Sequence, residues 1–143
     1  RSMHYYNIPD GAAYTFGYGK SYTEFVYEDV SFGNTEVALD ELHKNGIQAE
    51  MTIKNVGEYD GYAVPLVYIA GEQGSVVRRA KELKGFKKVW LKKGESKRVS
   101  ILLPAEAFAV WNFEMEFKVE PGRVKLILEE MGQTVGSETI NLF

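Results

Sequence analysis

The sequence predicts an all-β fold, an antiparallel β-sandwich, and three features carry that expectation. Tyr (9) and Phe (8) dominate an aromatic content of 13%, and both residue types favour strands over helices. Short apolar runs alternate with period two, as half-buried strands do. Turn signals interrupt these runs at intervals of roughly 8–12 residues with no helical pattern between them, as in sandwiches rather than parallel sheets.

Residues 47 to 53 place Ile47, Ala49, Met51 and Ile53 on one face and Gln48, Glu50 and Thr52 on the other, and Asn55, Gly57 and Asp60-Gly61 then end the strand. Tyr62 to Ala70 is apolar at nearly every position, so it reads as a strand covered on both faces. Pro65 inside it removes a ladder donor and predicts a bulge or an edge. Leu83, Phe86, Val89 and Leu91 are spaced oddly around Gly85, which predicts a strand with a local kink. Lys93-Gly94-Glu95-Ser96 is a turn, and Val99, Ile101 and Leu103 form a strand stopped by Pro104. Met115, Phe117 and Val119 alternate with acids and Lys118, and Pro121-Gly122 reads as a hairpin turn into Val124, Leu126 and Leu128. Val135 to Leu142 supplies a last strand. For residues 34 to 46 a strand and an Asn45-Gly46 turn are expected, the alternative being a short helix capped by Asn34 or Thr35 and closed by Gly46. The first 20 residues show no regular pattern but carry Tyr5, Tyr6, Tyr14, Phe16 and Tyr18 among glycines.

At 143 residues with 45% hydrophobic content, the chain is sized for one domain with its own core. It opens on Arg1 with its first Met at position 3, as a fragment or a processed product would. Asn7, Pro9 and Asp10 break the first apolar stretch, so no signal peptide is expected. No apolar run approaches the roughly 18 residues of a membrane span, and no membrane partner is expected. Without cysteine, disulfides, thiolate metal sites and a Cys nucleophile are excluded. His4 and His43 lack metal-ligand spacing, so neither a metal nor any other cofactor is expected. Ten basic residues between Arg78 and Arg98 face two acids, a local charge of +8, whereas the remainder carries −11. Such a stripe could neutralise phosphates, but no RNA-binding aromatic motif or DNA-reading helix accompanies it. It reads as a solvated strand face or a surface meeting an acidic domain, and no nucleic-acid partner is expected.

Four stretches, in order, resemble one family. Phe16-Gly17-Tyr18-Gly19-Lys20-Ser21-Tyr22-Thr23-Glu24-Phe25 is similar to the segment that opens the C-terminal fibronectin type III-like domain of family 3 glycoside hydrolases, with Lys20 where Leu is common. Lys54-Asn55-Val56-Gly57-Glu58-Tyr59-Asp60-Gly61 resembles that domain's turn, and Lys81 to Val89 with Leu91 and Gly94-Glu95-Ser96 resembles its basic strand run. Val119-Glu120-Pro121-Gly122 is similar to its V-x-P-G hairpin. The resemblance implies an immunoglobulin/fibronectin type III-like antiparallel β-sandwich over residues 21–143, with residues 1–20 a lead-in connector from a preceding domain.

Family 3 enzymes retain configuration with an Asp nucleophile and a Glu acid/base, and such carboxyl pairs sit roughly 5–5.5 Å apart. The resemblance places both residues in preceding domains, so it implies no catalytic or substrate-binding residue here. Glu114/Glu116 and Glu129/Glu130 are the nearest internal pairs, and both are expected among solvent-facing charges. Ser21, Thr23 and His4 form no nucleophile arrangement. Trp111, beside Phe108 and Phe113, is expected in the core, and Trp90 on the outward side of its strand. The expected role is that of an accessory domain with no activity of its own, whose partners are the preceding catalytic domains of the same polypeptide. Tyr5, Tyr6, Tyr14, Phe16, Tyr18 and Trp90 are the expected inter-domain contacts, and the isolated fragment could self-associate through them. The competing reading is a freestanding carbohydrate-binding or adhesion module. Five aromatics in an irregular lead-in favour the connector.

Overall fold

The computed structural model describes residues 23–143 and the backbone of one strand, Met3–Asn7. Two antiparallel sheets face one another. The first has the order β1 (Met3–Asn7), β2 (Phe25–Ser31), β4 (Ile47–Asn55) and β9 (Ser96–Leu103). The second runs β3 (Glu36–Val37), β13 (Gln133–Leu142), β12 (Gly122–Glu130), β6 (Leu66–Gln73) and β7 (Val76–Phe86), with β3 alone parallel to its neighbour. Among the described residues two ribbons join these sheets: β5 (Gly61–Ala63) pairs with β8 (Val89–Leu91), and β10 (Ala109–Trp111) pairs with β11 (Phe117–Val119).

Period-two patterning fills the space between the sheets. Ile47, Ala49, Met51 and Ile53 of β4 and Val99, Ile101 and Leu103 of β9 meet Val67 and Ile69 of β6 and Val124, Leu126 and Leu128 of β12. Each large apolar side chain so buried contributes about 1.5–3 kcal/mol. Pro65 divides the Tyr62–Ala70 run into β5 and β6, and β6 lies between β12 and β7, one strand in from the edge. Its other face is half-buried, where the Lys81 ammonium lies 4.7 Å from the Tyr68 ring centre. The expected kink near Gly85 is a register shift between β6 and β7.

Four expectations are corrected. Residues 39–45 form a helix, α1 (Leu39–Asn45), instead of a strand entering a turn, and only Glu36–Val37 is extended. Asp40 and Glu41 sit in its first turn, His43 and Lys44 in its last, the arrangement that complements the helix dipole. Met115 belongs to no strand; its φ of 65° places it in the turn of the β10–β11 hairpin. Pro121-Gly122 does not join paired strands, because β11 turns back on β10 while β12 pairs with β6 and β13. Finally, residues 3–7 are regular: β1 lies antiparallel to β2, with Tyr5 opposite Glu28 and Tyr6 opposite Tyr27.

Candidate interaction surfaces

Sheet order gathers the basic stripe onto one side of the molecule. Among the described residues β9 ends the first sheet and β7 the second, so both border the same lateral edge and β8 lies in the chain between them. The second half of β7 closes against β9: Gly85 lies against Ile101 and Leu103, where a β-carbon would stand 3.0 Å and 2.9 Å from their side chains, and Lys87 Nζ donates to the Ser100 carbonyl at 2.6 Å. The first half of β7 runs beyond β9 and faces the β10–β11 hairpin instead.

At one end of this edge lies Trp90, which is 42% exposed. Opposite it in the β5–β8 ribbon, Tyr62 packs edge-to-face on its ring at 4.8 Å and 66°, and Lys88 Nζ stands 4.3 Å over the Tyr62 ring. The Asn55–Gly61 turn holds this ribbon. Buried Asn55 accepts from Thr23 Oγ1 at 2.6 Å and from the Gly57 amide at 3.0 Å, and its Nδ2 donates to the carbonyls of Tyr59 (2.8 Å) and Leu91 (3.0 Å). Asp60 Oδ1 accepts from the Lys93 amide at 2.8 Å. The residue spacing of this motif is therefore a hydrogen-bonding requirement. Of the other expected contacts, Tyr5 and Tyr6 fall in β1, while Tyr14, Phe16 and Tyr18 lie outside the described residues.

At the opposite end, a second surface was not foreseen. Trp111 is 64% exposed, Phe113 82%, Met115 79% and Phe117 55%, so Trp111 lies outside the core in which it was expected. Only Ala109 and Val110 of β10 are buried, and the hairpin beyond them stands off the sandwich. Asn112 shapes its turn: Oδ1 accepts from the amides of Glu114 (2.9 Å) and Glu116 (3.0 Å), and Nδ2 donates to Glu116 and Glu120 carboxylates. Hydrogen bonding from Asn112, then the neighbouring Lys118, lowers the pKa of exposed Glu116. Trp111 and Phe117 rings stand 5.2 Å apart at 42°.

Between this hairpin and β7 lies a groove of about 730 Å³, lined by Val76, Val77, Arg78, Ala80, Trp111 and Phe117 among others. The Arg78 side chain is only 3% exposed. Its Nη1 pairs with Glu82, its Nη2 donates to Gln73 Oε1 at 2.8 Å, and its Nε is buried without a partner. Gln73 is itself held by the Phe108 carbonyl (2.8 Å) and the Glu120 carbonyl (3.0 Å). Nothing in the local sequence pattern marks Arg78 as different from its basic neighbours; the signal that was present is the apolar alternation of Trp111, Phe113, Met115 and Phe117, all of which the structure leaves exposed.

Of the two carboxylate pairs, Glu114 and Glu116 are exposed as expected, and the other is not. Glu129 and Glu130 are both buried rather than solvent-facing, because the register of β12 on β13 shifts between Leu128 and Glu129. Glu129 pairs with Lys81. Glu130 accepts from the Tyr27 hydroxyl of the opposite sheet and from the Val64 amide at 2.9 Å. Burial raises the pKa of Glu130 against these bonds, and burial with the adjacent carboxylate raises that of Tyr27. His43 Nδ1 donates to the Leu39 carbonyl at 2.8 Å within α1. Among the described residues no three His, Asp or Glu side chains cluster as a metal site would require, and no helix is long and apolar enough to cross a membrane.

Within this sandwich, residues 63–130 match the fibronectin type III-like domain family. The chain carries such a domain, of the kind found in family 3 glycoside hydrolases. It is 39% identical over 124 residues to a putative beta-xylosidase of Formosa agariphila and 35% identical over 124 residues to the periplasmic beta-glucosidase of Salmonella typhimurium, covering 87% of this chain and 16% of either relative. A solved beta-glucosidase of Listeria innocua in complex with glucose superimposes with a TM-score of 0.74 at 35% identity, over 88% of this chain and 17% of that one. The chain thus spans about one sixth of the length of these relatives.

Proposed function

We propose that this chain is the non-catalytic accessory domain, C-terminal in a longer polypeptide, of a glycoside hydrolase that cleaves O-glycosidic bonds of β-glucosidase or β-xylosidase type. It packs on the catalytic domains and stabilises them. Residues 1–20 connect it to them while their strand β1 also pairs with β2, residues 21–143 form the body of the sandwich, and Tyr5, Tyr6, Tyr14, Phe16, Tyr18 and Trp90 contribute contacts. The observation that carries the reading is the pattern of coverage: 87% of this chain aligns with only 16% of each relative. The placement of the carboxylates supports it, since Glu130 is committed to Tyr27 and Val64, Glu129 to Lys81 and Glu116 to Asn112 and Lys118, leaving them no shared cleft of the kind retaining hydrolysis requires.

The test is turnover of aryl β-glucosides and β-xylosides by the purified chain. No hydrolysis above background is expected, and turnover that survives removal of trace host glycosidases overturns the reading. The freestanding carbohydrate-binding alternative needs rings that present a common plane to sugars, whereas the two exposed ring pairs are inclined at 66° and 42°. Saturable shifts in Trp fluorescence with cello- or xylo-oligosaccharides at sub-millimolar concentration would favour that alternative.

A further inference from the structure

We infer that the groove between the first half of β7 and the β10–β11 hairpin docks an acidic, apolar-tipped segment of the catalytic part of the same polypeptide. This rests on the accessory-domain reading above and assigns the face through which docking occurs. Three observations converge on the groove. Arg78 is a nearly fully buried guanidinium whose Nε has no partner, and an unmet buried donor is uncommon in a finished protein interior. Lys84 stands beside it, while Glu82 is the one carboxylate in the lining and is already engaged by both cations. The groove also lies on the edge that carries a local charge of +8 in a chain whose remainder carries −11, so its own domain offers a surplus of cations there.

Lysines alone are a familiar guard for a sheet edge, but a guard has no use for Trp111, Phe113, Met115 and Phe117 held in water. An exposed apolar cluster rimmed by charge is what an interface presents. About five sixths of the length of the relatives lies outside the region this chain matches, which supplies the occupant. A carboxylate of that segment would pair with Lys84 in the positive field of buried Arg78, and an apolar side chain would enter between Val77 and the Trp111–Phe117 pair.

The test is hydroxyl-radical footprinting of the intact longer polypeptide, with carbodiimide coupling to join lysines to contacting carboxylates. The expected result is oxidation of Trp111, Phe113, Met115 and Phe117 several-fold slower than their exposure in the sandwich allows, and coupling of Lys84 to a carboxylate outside residues 1–143. Protection of Tyr62 and Trp90 alone would overturn this inference while leaving the accessory-domain reading standing. Full reactivity of both ends of the edge would overturn both. Coupling of Lys84 only to Glu82 would overturn the acidic occupant, and protection that rises with protein concentration would identify a second copy in its place.

Discussion

Asn55 and Glu130 show how much one polar side chain does when it is sealed between sheets. Asn55 satisfies Thr23, Gly57, Tyr59 and Leu91 at once, so Asn55→Ala strands several buried groups. At about 1–3 kcal/mol for a strongly unsatisfied site, the variant should unfold at clearly lower denaturant with an unchanged m-value; a midpoint within error of the parent would refute this. Glu130 makes a pH prediction. Its folded pKa lies above its ordinary value because of burial, so the native state holds the proton more tightly than the unfolded chain. The resulting stabilisation is complete below the unfolded value of about 4.3 and is lost as pH rises through the folded value. Glu130→Gln cannot ionise, so the stability difference between variant and parent should move in the variant's favour as pH rises above about 4.3 through the raised folded value. Chemical denaturation at several pH values measures it, and a constant difference sinks the assignment. Neither residue's environment was fully legible in sequence. Asn55 announced itself through its spacing from Gly57 and Gly61, whereas the burial of Glu129 and Glu130 depends on a register shift that alternation alone cannot reveal.

At the scale of elements, the sequence was legible wherever one face met the core. The alternation in β4, β9 and β12 gave those strands, because each buries every second side chain. It failed at α1, where one buried residue, Leu42, in seven gives no period to read; the acids before and bases after it were the usable signal. It failed again at the β10–β11 hairpin, where Phe113 and Met115 lie in the turn and Trp111 and Phe117 are exposed. Closure of α1 rests on Gly46, at φ 66°, whose amide donates to the Leu42 carbonyl at 2.8 Å. A β-carbon there would approach the Leu103 carbonyl to 2.5 Å. Gly46→Ala combines that collision with a left-handed backbone, a strain of about 1–3 kcal/mol. A drop in thermal midpoint with native circular dichroism is expected, and no change would mean that the β4 entry relaxes freely.

For the molecule as a whole, the question is which residues belong to the folding unit. Among the described residues the core includes Tyr27, Met51, Ile69 and Leu126, all fully buried, and β1 pairs with β2. Ordering the five residues of β1 costs about 1–2 kcal/mol each, which offsets ladder bonds contributing about 0.5–1.5 kcal/mol each. The balance is small, so deleting residues 1–15 should shift the stability of the purified chain by about 1 kcal/mol or less. In the longer polypeptide the same deletion removes the proposed connection to the catalytic part, where the loss should be much greater. Paired thermal melts of both contexts, with and without residues 1–15, decide the matter. A large loss in the short chain would place the lead-in within this domain's own fold, and the proposed boundary between residues 20 and 21 would have to move toward the N-terminus.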